Sequence, residues 1–182
     1  APAPPVDLPF VMLPTVIEFT LSGEADMDVK NIGLLSNNNK YLTGRSEVDI
    51  ASQAKSPLSP KPEFPECTTT EGFDEVWLSM TSDGSPVEIE AGESLTGTLF
   101  LNPTDISHLS FCITTKDDGA DTYTTRKTPL KYASGGWLKF DAHKKYRIKG
   151  VIVPGGVKWM INYDPVLVTS WDSGIEEDIE MK

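Results

Sequence analysis

From Lys145 the chain alternates with period two, placing Lys145, Arg147 and Lys149 on one side and Tyr146 and Ile148 on the other. That period predicts a strand with one buried and one solvated face, running to Val153. Pro154-Gly155-Gly156 ends it, because Pro and Gly supply turn geometry and break a ladder. Val157 to Tyr163 predicts the next strand, with Val157, Trp159, Ile161 and Tyr163 sharing a face. Asp164-Pro165 turns the chain again, and Val166 to Trp171 predicts a further strand. Ahead of this set, Lys139 to Asp141 reads as the end of a strand turned by Ala142-His143-Lys144. Taken together these segments predict a β-meander.

The same punctuation runs through the rest of the chain. Ala1 to Pro9 is Pro-rich and reads as an extended arm, leaving residues 10–182 for a single domain. Phe10 to Leu21 is apolar and β-prone but broken by Pro14, so its strand lies at a sheet edge or starts after the proline. Val29 to Leu35 and Tyr41 to Thr43 flank Asn37-Asn38-Asn39, the pattern of a hairpin. Ser52 to Thr70, rich in Pro and Ser, predicts a long surface loop or a crossover between sheets. Further strands are predicted at Val76–Met80, Val87–Glu90, Leu95–Leu101, Leu109–Thr115 and Thr122–Thr128. Asp83-Gly84, Gly92, Asn102-Pro103 and Asp117-Asp118-Gly119 separate them. No segment carries a sustained helical period; a short helical turn after Asn102 is the most the sequence allows. Strands at this spacing predict an all-β sandwich or barrel.

Charge narrows the function classes. The net charge of −11 excludes a general nucleic-acid binder, which needs clustered Lys and Arg. The distribution is uneven: Arg126 to Lys158 holds nine basic residues and one acid, whereas the last eleven residues hold five acids and one base. No apolar run approaches the roughly 20 residues of a membrane-spanning helix. The two cysteines, Cys67 and Cys112, are candidates for one disulfide, or for two buried thiols.

Candidate chemistry is sparse. His108 and His143, the only histidines, lack partners at metal-ligand spacing, and no glycine-flanked serine marks a nucleophile. Asp117, Asp118 and Asp121 around Gly119 offer oxygen ligands for calcium but read more simply as a hairpin tip. Of the four tryptophans, Trp159 shares a strand face with Val157 and Ile161 and belongs to the core. Trp137 and Trp171 stand beside glycine-rich turns and are candidates for stacking on a glycan. No enzyme activity, metal or cofactor is expected.

Two blocks carry a family resemblance. PFVMLPTVIEFTLSG followed by VKNIGLLSNNNKYLTG is similar to the opening of modules of the fimbrillin superfamily of the Bacteroidales, subunits and accessory proteins of type V fimbriae. WLKFDAHKKYRIKGVIVP resembles that family's strand–turn–strand signature, carried by Phe140, Ala142, Lys144 or Lys145, and Tyr146, with His143 where glycine is common. Trp171 followed by Gly174 completes the match. The resemblance implies an antiparallel Greek-key β-sandwich of transthyretin-like type, exported to the outer membrane surface and held there by an upstream lipid anchor. It implies no catalytic residues, and other fimbrial subunits or host and bacterial surface ligands as partners. It also implies assembly by strand exchange, with Phe10, Ile17, Phe19 and Leu21 in the displaced strand and Ile179 and Met181 in a donor. The family's processing after arginine finds no arginine here before Arg45, which points to an accessory, tip or anchor-like component. The alternative is a carbohydrate-binding module of a surface glycan-capture system.

Overall fold

The computed structural model describes residues 14–48, 67–117, 119–132, 134–153, 156–159 and 166–168, so the N-terminal arm lies outside the described residues. These residues contain no helix. The first strands are β1 (Thr15–Gly23), β2 (Met27–Ser36), β3 (Thr43–Val48), β4 (Cys67–Phe73) and β5 (Glu75–Ser79). They are followed by β6 (Thr81–Ser82), β7 (Ser85–Ile89), β8 (Ser94–Leu101), β9 (Ile106–Ser107) and β10 (Leu109–Asp117). The last are β11 (Thr124–Pro129), β12 (Lys139–Phe140), β13 (Lys145–Val153), β14 (Gly156–Trp159) and β15 (Val166–Val168).

Two larger sheets carry the core. One runs β14-β13-β1-β8, with β15 also on β13; the other runs β11-β10-β2-β7-β6, with β5 also on β2. Two small sheets, β12-β9 and β3-β4, complete the set. Alternation decides which side faces in. On β13, Tyr146, Ile148 and Ile152 are buried, while Lys145 and Arg147 are half-buried and Lys149 is exposed, as the period predicts. Ile17, Phe19 and Leu21 of β1 lie in register with Leu99, Gly97 and Leu95 of β8, and all of these positions but Gly97 belong to the buried apolar cluster. Facing them, β2 and β10 contribute Ile32, Leu34, Phe111 and Ile113. The Phe19 and Phe111 rings meet at 4.7 Å between centroids, which joins the two sheets across the core. Each such side chain withdrawn from water contributes about 1.5–3 kcal/mol.

Several expectations about neighbours are overturned. The C-terminal strands do not form a meander: β12 pairs with β9, and β15 pairs with β13, on Lys145 to Arg147. Of the two readings of Pro14, the second holds: β1 begins one residue after the proline and sits in the middle of its sheet, with β8 on one side and β13 on the other. The β1–β13 pairing is parallel, against the expectation of a wholly antiparallel fold. The asparagine turn forms, with Asn39 at φ 56 and Ser36 Oγ donating to Asn38 Oδ1 at 2.8 Å, yet no hairpin follows. Beyond the turn, β3 pairs with β4 instead of returning along β2. The stretch after Asn102 holds bends and β9, not a helical turn. His143 takes φ 60, a left-handed conformation that glycine adopts without strain.

Candidate functional site

The described residues expected to take part in strand exchange lie on β1, an interior strand engaged on both edges, as β13, β2 and β10 also are. Val16 to Gly23 match Lys145 to Ile152 of β13, and Thr15 to Ser22 match Leu101 to Ser94 of β8. Of the residues named for strand exchange, Ile17, Phe19 and Leu21 are fully buried here, and Phe10, Ile179 and Met181 lie outside the described residues. Lifting β1 out would leave two rows of unpaired backbone groups, flanked by Tyr146 and Ile148 on β13 and Leu95 and Leu99 on β8, over an apolar floor that includes Phe111 of the facing sheet.

The outer side of β1 is tied to β13 by charge. Glu18 takes Lys145 Nζ at 3.0 Å on one carboxylate oxygen and Arg147 Nε at 2.9 Å on the other. Partial burial alone would push this carboxyl upward, but the hydrogen bonds and charges of Lys145 and Arg147 outweigh it and hold the pKa below its ordinary value. On the second sheet Asp28 is held low chiefly by its hydrogen bond to Lys116, against some desolvation, with the Tyr123 hydroxyl donating a second at 3.1 Å.

No group of catalytic type assembles among the described residues. The Ser107 hydroxyl and His108 Nδ1 share a hydrogen bond of 2.9 Å, but His108 is exposed and its ring lies against Trp137. Burial pushes both the Cys67 and Cys112 thiols up, away from nucleophilic thiolate. The two cysteines stay thiols on different sheets and form no disulfide. Asp117 is committed to Arg126 at 3.2 Å beside the β10–β11 turn, and no cluster of three or more His, Cys, Asp or Glu suited to a metal occurs among the described residues. An open cleft of about 500 Å³ lies at one end of the fold, between Glu24, Asp26 and Asp117 on its polar side and Met27, Ala91 and Ile152 on its apolar side. Two of its three carboxylates are already used, Asp117 by Arg126 and Asp26 as acceptor for the Ala91 amide at 2.8 Å.

As its strand face predicts, Trp159 enters the core, with Phe111 at 5.1 Å and Phe19 at 6.1 Å. Trp137 is half-buried, with Lys131 Nζ 4.6 Å above its ring and the His108 ring at 5.0 Å, so its faces are already in use. Trp171 lies outside the described residues. The most exposed tryptophan described is Trp77, at 42 %. The signal for it was present in Glu75-Val76-Trp77-Leu78-Ser79, where Val76 and Leu78 claim the inner side and leave Trp77 outside with Glu75 and Ser79. Neither a protein-family model nor a curated protein matches the sequence.

Proposed function

We propose that this chain is a non-enzymatic, exported surface protein of structural or adhesive role, a fimbrillin-like subunit or accessory component of type V fimbriae. The fold it brings to that role is a Greek-key β-sandwich of transthyretin-like type. The carrying observation is the position of β1: the first described strand is also a central one, gripped from both sides. A first strand in that place can be exchanged for an equivalent strand of another subunit without rearranging the rest of the fold, since the ladder partners and the apolar floor belong to other segments. The resemblance of the two sequence blocks and the lack of a catalytic constellation among the described residues support the same reading.

The test is a strand-replacement experiment on the folded protein. A protease site is placed in the exposed turn Glu24-Ala25-Asp26, between β1 and β2, and the folded chain is nicked there. A labelled peptide covering Thr15 to Gly23 is then added. Incorporation of the label, with the released N-terminal fragment recovered, is the expected outcome. A nicked protein that either keeps its own strand indefinitely or unfolds without accepting the peptide would show that β1 is a fixed part of the sandwich, and the assembly reading would fall.

A further inference from the structure

The outer face of the second sheet carries an arrangement that the assembly reading does not use. In one row across four strands stand Trp77 on β5, Gly33 on β2, Cys112 on β10 and Lys127 on β11. A Cβ on Gly33 would meet Trp77 Cε3 at 2.7 Å and Cδ2 at 2.8 Å, so the indole leans over the glycine and fills the place of its side chain. Beyond it, Cys112 has no exposed surface although its neighbours Phe111 and Ile113 are the ones that turn inward. By register Lys127 lies beside Cys112 at the far end of the row, and Glu75 lies two residues before Trp77 on the same outer side of β5. Both are exposed, and neither has an ion-pair partner among the described residues. Ser79 and Asn31 continue the polar border on the other side of Trp77.

We propose that Trp77, with Glu75 and Lys127, forms a binding platform for a neutral saccharide. The exposed apolar surface there is a single indole seated over Gly33, with the Glu75 carboxylate on its own strand and the Lys127 ammonium three strands along the same row, both without an ion pair among the described residues. That matches the apolar C–H face of a pyranose with hydroxyls around its rim. A protein partner would bury on the order of 800 Å² per side and would need a wider apolar centre. An anionic ligand would find Lys127 offset by Glu75. The proposal rests on the adhesive side of the function given above and adds its ligand class.

Saturation-transfer NMR and calorimetry on the full chain, with cello-, manno-, xylo- and malto-oligosaccharides as probes, test it. At least one series is expected to bind the wild-type protein, with Trp77→Ala weakening it by about tenfold or more. Trp137→Ala is expected to leave affinity unchanged. Because Trp77→Ala also uncovers Gly33 and Cys112, the surface pair Glu75→Gln with Lys127→Ala serves as a second variant whose fold is not in question, and it should weaken binding several-fold. No binding by the wild-type chain to any of the four series overturns the proposal, as does binding that the Glu75/Lys127 variant leaves intact. Strand replacement at β1 is read out separately, so failure of the platform and failure of the assembly role are told apart.

Discussion

Gly150 and Gly33 do the same job on opposite sides of the molecule: each leaves room for the indole of the tryptophan directly across the ladder. Trp159 occupies the inner space beside Gly150, and Trp77 the outer space above Gly33. A methyl group at Gly150 would come within 2.7 Å of Val157 Cγ1 and 2.9 Å of Trp159 Cε3, closer than packed carbons approach. Gly150→Ala should therefore cost about 1–3 kcal/mol, the usual range for overfilling a dense core. Urea unfolding measures the loss, and near-ultraviolet dichroism should change with it as Trp159 shifts against Phe111. A variant as stable as wild type with an unchanged aromatic spectrum would show that the core gives way freely there. The two tryptophans also show what alternation can and cannot tell. Trp159 was legible as core because Val157 shares its side, and Trp137 beside Gly135-Gly136 as partly exposed, which it is; what the turn could not tell is that Lys131 covers the ring.

At the scale of elements, the strands themselves were largely legible and their partners were not. Lys145 to Val153 is found with the predicted bounds, and β5, β7, β8, β10 and β11 lie within a few residues of expectation. A two-residue period reports which side is buried, and nothing in it reports which strand lies alongside. The parallel pairing of β1 with β13 spans most of the chain, as in Val16 with Lys145, and leaves no local trace in sequence. The short β12 leaves the expected meander for β9 for the same reason. The position of β1 makes a prediction that depends on neither proposal. With hydrogen-bonded neighbours on both edges and Ile17, Phe19 and Leu21 fully buried, its amides should be among the slowest to exchange with solvent. Those of β3 and β4, a two-stranded sheet whose β4 has no fully buried residue, should exchange much faster. Phe19→Ala, which removes a ring touching Phe111, should cost about 3–5 kcal/mol and bring the β1 amides toward the fast group. Slow exchange in β3–β4 with fast exchange in β1 would contradict this order.

For the molecule as a whole, one carboxylate on each large sheet ties neighbouring strands together, and both respond to acid in the same direction. Glu18 joins β1 to β13 through Lys145 and Arg147, and Asp28 joins β2 to β10 through Lys116. Both carboxyls are held below their ordinary values of 4.5 and 3.8, so the folded state gives up their charge less readily than the unfolded chain does. The stability each contributes is thus complete above those values and drains away as pH falls through the lower folded ones. Each link is partly exposed, so each is worth only a fraction of a kcal/mol to about 1 kcal/mol. The window overlaps the isoelectric region near pH 4.6, where the net charge of −11 that keeps molecules apart has gone. Acid should therefore loosen both sheets and remove mutual repulsion over the same interval. Glu18→Gln combined with Asp28→Asn should be less stable than wild type at neutral pH, and its urea midpoint should fall less steeply in acid until the two curves meet. Curves that stay parallel down to the acid limit would mean that the two carboxylates carry no pH-dependent stability, and that acid sensitivity comes from the general charge of the surface alone.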